Sequence, residues 1–220
     1  MTPRKICVLA SGGLDSGVLM ARLLKTGREV YPLYISEELR WEKVERFWLK
    51  RFLRTLRHPL LHPLTELSLP VRDIFPRRHW SLAGRAVPNA SSKDSAVYLR
   101  GRNVLLLGKA ALFCAEKGIS EMALATLSAN PFPDAKPSFL KAYGRLLSQA
   151  LRCPIRIQAP YRTLRKADVI RLGRGLRFDL TFSCLAPRPD DHPCGRCNKC
   201  AERRKGFQQA GFPDPTPYAA

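Results

Sequence analysis

Acidic residues are scarce in this chain of 220: Asp and Glu total 18 against 38 Lys and Arg, a formal charge of +20. Such a field draws in anions, so nucleotides, nucleic acid (tRNA above all) or an acidic protein are candidate partners; a solvated basic surface with no polymeric partner explains the same count. Long apolar runs are also missing. The most hydrophobic stretch, Asn103 to Ala115, is interrupted by Gly108 and Lys109, which argues against a membrane span. Met1 to Lys5 leads straight into a short apolar run without the basic, hydrophobic and small-residue regions of a secretory leader, so a cytoplasmic location is expected. There is no internal repeat and no low-complexity block. Paired cysteines are lacking too: seven is an odd count, and four crowd into Cys184, Cys194, Cys197 and Cys200, which favours a metal over a disulfide framework. Cys7, Cys114 and Cys153 lie in apolar stretches and behave as small hydrophobes.

What is present alternates between strand and helix signals. Ile6–Ala10 is a buried strand, and an apolar pattern at Leu14, Val18, Leu19 and Leu23 is a helix ending at Gly27. Glu29–Ile35 follows as a strand, Glu37–Leu56 as an amphipathic helix and Leu60–Leu67 as a third strand. This alternation predicts an α/β fold: one Rossmann-like domain with a parallel sheet of about five strands and right-handed crossovers. Residues 70–101 lose the pattern and read as a long functional loop. Arg102–Lys117 is helical, Glu121–Thr126 a strand, Ser138–Leu151 a helix, Pro154–Ala159 a strand and Leu164–Leu172 a helix closed by Gly173. We divide the chain into a nucleotide-binding part, residues 1–180, and a C-terminal cysteine segment, 181–220, with a short helix near Asn198–Gln209 packed on the same domain.

Ser11-Gly12-Gly13-Leu14-Asp15-Ser16 stands where the first strand hands over to the first helix. Glycine permits the tight turn and close anion approach, and the backbone N–H groups of Gly13 to Gly17 are expected to be free at a helix N-terminus whose dipole favours negative charge. Ser11 and Ser16 offer hydroxyls. An acid such as Asp15 beside phosphates commonly holds Mg²⁺. A plain capped glycine turn is the bland alternative, which the complete hexapeptide at this junction outweighs. The pattern is neither Walker A nor the dinucleotide fingerprint. It resembles the signature of the PP-loop ATP pyrophosphatases, which implies cleavage of ATP between the α and β phosphates, with AMP placed on a substrate oxygen. By that resemblance Ala10 through Val18 (Ala10, Ser11, Gly12, Gly13, Leu14, Asp15, Ser16, Gly17 and Val18) hold the nucleotide, with Asp15 and Ser16 also catalytic.

Cys184-x9-Cys194-x2-Cys197-x2-Cys200 offers four thiolates, which complete a closed tetrahedral Zn²⁺ site with no open position, hence a structural one. An iron–sulfur cluster accepts the same set. Pro193 and Gly195 supply the turn, and Arg196, Lys199, Arg203 and Arg204 are expected to offset the sulfur charge. His192 has no assigned role.

The phosphate loop, Gly101-Arg102-Asn103, Pro133-Asp134, Lys166 through Gly173 and Ser183-Cys184 through Phe207 together resemble the 7-cyano-7-deazaguanine synthase family, in the family's order from Lys5 to Gly211. Ser81 to Gly84 with Val87-Pro88 resembles its active-site loop. The resemblance implies a ligase that adenylates 7-carboxy-7-deazaguanine with ATP, forms the amide with ammonia and then dehydrates it to the nitrile. It also implies that Gly101, Arg102 and Asn103 line the nucleotide and substrate pocket, that Asp134 faces the substrate, and that Arg102 and Asp134 are catalytic. Taken without it, Arg102, Lys109 and Lys166 are ordinary solvated helix residues. The family's Phe-Asp-Tyr-Gly-Gln is replaced by Tyr34-Ile35-Ser36-Glu37-Glu38, Arg100 stands where a Pro is usual, and Pro-Asp-Cys-Arg-Pro becomes Pro133-Asp134-Ala135-Lys136-Pro137. A divergent paralogue that transfers the acyl group to another amine, such as one on a protein, is the second expectation. A tRNA-binding PP-loop protein is the third, and a homodimer is compatible with all of them.

Overall fold

The computed structural model describes residues 3–219. Five short strands form one wholly parallel sheet in the order β3-β2-β1-β4-β5, where β1 is Lys5–Leu9, β2 Glu29–Ser36, β3 Thr65–Ser68, β4 Glu121–Ala123 and β5 Arg156–Gln158. The register pairs Val8 with Pro32 on one side of β1 and with Ala123 on the other. Ile6, Cys7 and Val8 are fully buried because helices cover both faces, as a parallel sheet requires.

One face packs against α1 (Leu14–Lys25), α2 (Glu42–Leu53), α6 (Lys166–Leu172) and α7 (Asn198–Ala210). The other packs against α4 (Arg102–Glu116) and α5 (Pro137–Leu151) around Cys7, Leu33, Leu107, Cys114 and Met122. Each large apolar side chain buried this way contributes about 1.5–3 kcal/mol before chain entropy is counted. Cys184, Cys197, Cys200 and Phe207 belong to the same core as Val8 and Leu14, so the cysteine segment is built into the domain. The longest helices have 15 residues, and among the described residues none is long and apolar enough to cross a membrane.

The fourth and fifth strands are shorter than expected, and three elements between Glu37 and Gly101 differ more. The helix expected from Glu37 begins at Glu42, because Glu37 and Glu38 turn back and donate their amides to the Glu42 carboxylate at 2.8 and 3.1 Å. Glu38 takes a φ of 61° in that turn. The third strand is shorter than Leu60–Leu67: an isolated bridge joins Leu61 to Val30, Pro63 then offers no N–H, and pairing resumes at Thr65. Finally, the loop at 70–101 contains α3 (Trp80–Ala83) and a single 3₁₀ turn at Asp94–Val97.

Candidate active site and metal centre

In an open parallel sheet the crevice for ligands lies beyond the carboxyl ends of the strands, where the chain leaves neighbouring strands in opposite directions. Here that point falls between β1 and β4. A cleft of about 450 Å³ opens there, lined by Ala10, Ser11, Asp15 and Ser16 after β1 and by Leu124 to Leu127 after β4.

The phosphate loop is held from within and from behind. Ser11 donates its amide to Ser16 Oγ at 3.3 Å, and Ser16 Oγ donates to the Gly13 carbonyl at 3.1 Å. Gly12 has a φ of 66°, and a Cβ there would lie 2.8 Å from Glu45 Cγ and 2.9 Å from the Glu45 carbonyl oxygen. Its own carbonyl accepts the Phe182 amide at 2.8 Å, so the cysteine segment braces the loop. The expectation of free amides from Gly13 to Gly17 needs correcting at its end, since Gly17 N–H already donates to the Gly13 carbonyl at 3.2 Å. The free donors are those of the first helical turn. Leu14 and Val18 are wholly buried, and a Cβ on Gly17 would meet the Phe52 ring at 2.8 Å. These three residues set how α1 packs and do not line the cleft.

Asp15 Oδ2 accepts from Lys166 Nζ at 2.5 Å, whereas Asp15 Oδ1 is buried without a hydrogen-bond partner. The expectation of a solvated Lys166 is thus overturned: its side chain is 14% exposed and also reaches Glu202 at 3.2 Å. Gly206 makes this possible, because a Cβ there would collide with Lys166 Cγ at 2.3 Å. Burial pushes the Lys166 pKa down, but Asp15 and Glu202 outweigh it and hold the ammonium above its usual value. Burial likewise opposes ionisation of Glu202, yet Lys166 and Lys199 bring it down to about 2. Lys199 donates to Glu202 at 2.6 Å, so one carboxylate carries two ammonium groups.

Arg102 keeps a partly exposed side chain, as expected of a helix-start arginine, but it is ion-paired. Its Nε donates at 2.6 Å to Glu37, which is 1% exposed and whose pKa burial raises in spite of the arginine. Glu42 beside it accepts Ser36 Oγ at 2.6 Å. Glu45, on the cleft wall, accepts the Tyr34 hydroxyl at 2.8 Å; burial raises its pKa to about 8. Glu37, from the segment that departs from the family pattern, thus joins Glu42 and Glu45 of α2 in an acid cluster around Arg102. Asn103 lines the cleft, while Gly101 caps α4 in the left-handed region at φ 73° and lies outside it. Asp134 is buried and receives the Asn103 amide at 3.1 Å and its Nδ2 at 3.3 Å, which fixes the start of α4. Lys109 lies away from the cleft.

A second cavity of about 190 Å³ adjoins the first and includes Asp134 in its lining. Its walls hold two stacked aromatic pairs, Trp41 with Trp80 at 5.7 Å and Tyr98 with Phe132 at 4.8 Å between centroids. Arg102, Asn103, Thr126 and Lys199 border both cavities. Sequence reasoning missed Glu37, Glu45, Lys199 and Glu202 as parts of the site. For α7 an available signal was the run of charges immediately after the last two cysteines.

The four Sγ atoms of Cys184, Cys194, Cys197 and Cys200 lie within 4.8 Å of one another. Cys197 is 4.0 Å from Cys184 and 3.5 Å from Cys200, close to the ~3.8 Å edge of a tetrahedron with zinc–sulfur bonds of about 2.3 Å. The amides of Leu185, Ala186, Cys194 and Arg196 donate to these sulfurs at 3.3–3.4 Å, as stabilised thiolates require. Hydrogen bonds among the four sulfurs hold the Cys194 and Cys197 thiols below their usual range and push those of Cys184 and Cys200 above it. The donor set fits zinc. Three of the four basic side chains expected to offset the sulfurs have their hydrogen bonds elsewhere: Arg203 is buried against Thr181 and Phe178, Arg204 donates to the Gly195 carbonyl, and Lys199 faces Glu202. The knot is tied to the loop at 70–101 by Asn198, whose amide donates to Pro88 O at 2.9 Å and whose Nδ2 donates to Ser92 O at 2.9 Å.

A family model described as "Queuosine biosynthesis protein QueC" matches residues 5–211. Three curated relatives share the description 7-cyano-7-deazaguanine synthase. The Anaeromyxobacter dehalogenans protein is 34% identical, covering 98% of this chain and 96% of its own. That of Solidesulfovibrio magneticus is 33% identical with the same coverage, and that of Thermoplasma volcanium is 29% identical over 99% of this chain and 92% of its own.

Proposed function

The chain belongs to the QueC family of queuosine biosynthesis, and from that premise we infer that it is an ATP-dependent 7-cyano-7-deazaguanine synthase. The observation that carries this reading to the site is the cleft itself, where a phosphate loop, a buried lysine and an unpartnered acid oxygen meet at the sheet's switch point. The bond changes follow from the chemistry of a carboxylate. Its oxygen attacks the α-phosphorus of ATP, the bond to the bridging oxygen breaks and pyrophosphate leaves. Ammonia adds to the acyl carbon, AMP departs and a proton is lost, giving the amide. A second adenylation on the amide oxygen, followed by loss of AMP and of the N–H protons, gives the nitrile.

We assign the phosphates to the first turn of α1, with Ser11 as a hydroxyl donor, Ser16 as a second once its hydroxyl turns from the Gly13 carbonyl, and Lys166 as the cation beside them. Fixed donors aimed at developing charge carry most such catalysis. Asp15 Oδ1, buried and without a partner, suits a hard cation, so Asp15 is the residue that would hold Mg²⁺, which neutralises phosphate charge when bound. Asn103 and Arg102 border the nucleotide, and Asp134 acts by holding Asn103. The four cysteines hold zinc and keep α7 in place. The four reduced thiols suit a reducing cytoplasm, and ammonia is the nitrogen donor.

The test is product analysis by mass spectrometry after incubation of the zinc-loaded protein with 7-carboxy-7-deazaguanine, ATP, Mg²⁺ and ammonium. The nitrile and two equivalents of AMP are expected. Folded, zinc-replete protein that consumes ATP without forming nitrile, and does so only when an acceptor amine is supplied, would overturn it in favour of acyl transfer.

A further inference from the structure

Two cavities meet at this site, and the cations on their shared border are Arg102 and Lys199. They are not equivalent. Arg102 is held at 2.6 Å by Glu37, a carboxylate 1% exposed and therefore dedicated to it. Lys199 is 31% exposed and its counter-ion, Glu202, is divided between Lys199 at 2.6 Å and Lys166 at 3.2 Å. Arg102 is itself 36% exposed, so what separates the two is pairing: the ammonium with a shared counter-ion is the one able to accept a new anion at little cost in lost pairing.

The larger cavity ends at the phosphate loop. The smaller one has aromatic walls, which suit the π-faces of a planar heterocycle. A heteroaromatic acid seated in this smaller cavity can meet the α-phosphorus of the nucleotide only at the border with the larger one, so its carboxylate belongs there. Resting on the synthase reading above, we propose that Lys199 is the specificity-determining residue for the acid substrate: its ammonium binds the carboxylate of the heteroaromatic acid in the first adenylation and has no charged partner in the second, where the acceptor is a neutral amide. Glu202 positions this ammonium and, through Lys166, links it to Asp15.

The two half-reactions provide the test. Lys199→Met and Lys199→Arg are assayed with 7-carboxy-7-deazaguanine and, separately, with the corresponding 7-amide, measuring KM for each and zinc content per chain. Loss of a charge-assisted contact predicts that Lys199→Met raises KM for the acid about tenfold or more, leaves KM for the amide within about twofold, and keeps its zinc. Lys199→Arg retains most of the preference for the acid. Equal rises for acid and amide, or no rise for the acid, overturn the proposal. Parent protein that converts neither compound overturns the synthase reading itself, and that result is distinguishable because it precedes any substitution.

Discussion

Replacing Gly12 by Ala separates two costs that usually arrive together. Gly12 and Gly27 have nearly the same backbone, with φ of 66° and 74°. A side chain in the left-handed region costs about 1–2 kcal/mol at either position. Only at Gly12 would the added methyl strike something, 2.8 Å from Glu45 Cγ and 2.9 Å from the Glu45 carbonyl; at Gly27 nothing lies within 4 Å. The carbonyl belongs to α2 and cannot swing away as a side-chain tip can, so overpacking adds about 1–3 kcal/mol. For a chain of this size each kcal/mol corresponds to roughly 2–4 °C, so Gly12→Ala should melt several degrees below Gly27→Ala, by up to about 12 °C. The assay is thermal unfolding of both zinc-loaded variants with and without ATP. ATP should raise the Tm of Gly27→Ala as it does that of the parent, and raise that of Gly12→Ala little, because the loop must move to make room. Equal melting temperatures, or an equal rise with ATP, would refute the claim that α2 buttresses the phosphate loop.

Asp15→Asn should abolish AMP release in a protein that still folds but melts below the parent, because the buried Lys166 ammonium loses one of its two carboxylate partners; unchanged turnover removes Asp15 from the site. Cys197→Ser should lower zinc content and Tm together, since metal binding at a closed site is folding free energy, and metal analysis alongside thermal unfolding checks it. For Glu45 the sign is set by a carboxyl raised from 4.5 to about 8 in the folded protein. The native state binds the extra proton, so ionisation costs nothing below about 4.5, destabilises progressively up to about 8 and is constant above it. Glu45→Gln keeps an acceptor for the Tyr34 hydroxyl and should therefore gain in Tm over the parent as pH rises through that window. A Tm difference that does not change with pH would contradict it.

Elements whose signals are local were legible in the sequence. Ile6 to Leu9 are apolar and contiguous, the glycine-rich turn follows, and Leu14, Val18 and Leu19 recur at helical spacing, so β1, the loop and α1 emerge nearly as expected. The cysteine spacing likewise located the metal ligands. What could not be read depends on partners far along the chain. Lys166 looks like any helix lysine until Asp15, 151 residues earlier, and Glu202 converge on it and Gly206 leaves room for its stem. Glu37 has helical company on paper, but Glu42 collects the amides of the preceding turn and delays α2 by five residues. Arg203 and Arg204 follow two cysteines in sequence, yet their guanidinium groups are fixed by Phe178, Thr181 and Gly195.

The hydrogen bond from the Phe182 amide to the Gly12 carbonyl has a consequence for the order in which the molecule is made. The phosphate loop emerges from the ribosome about 170 residues before its brace, and Lys199, Glu202 and Gln209 of the cleft wall come later still. At ordinary synthesis rates of about 5–20 residues per second, the nascent loop waits on the order of ten seconds without its support. A nascent chain therefore cannot complete its nucleotide pocket until the segment from Phe182 to Gln209 has been made, and a messenger truncated before the last cysteines yields a polypeptide with the ATP signature intact and no competent cleft.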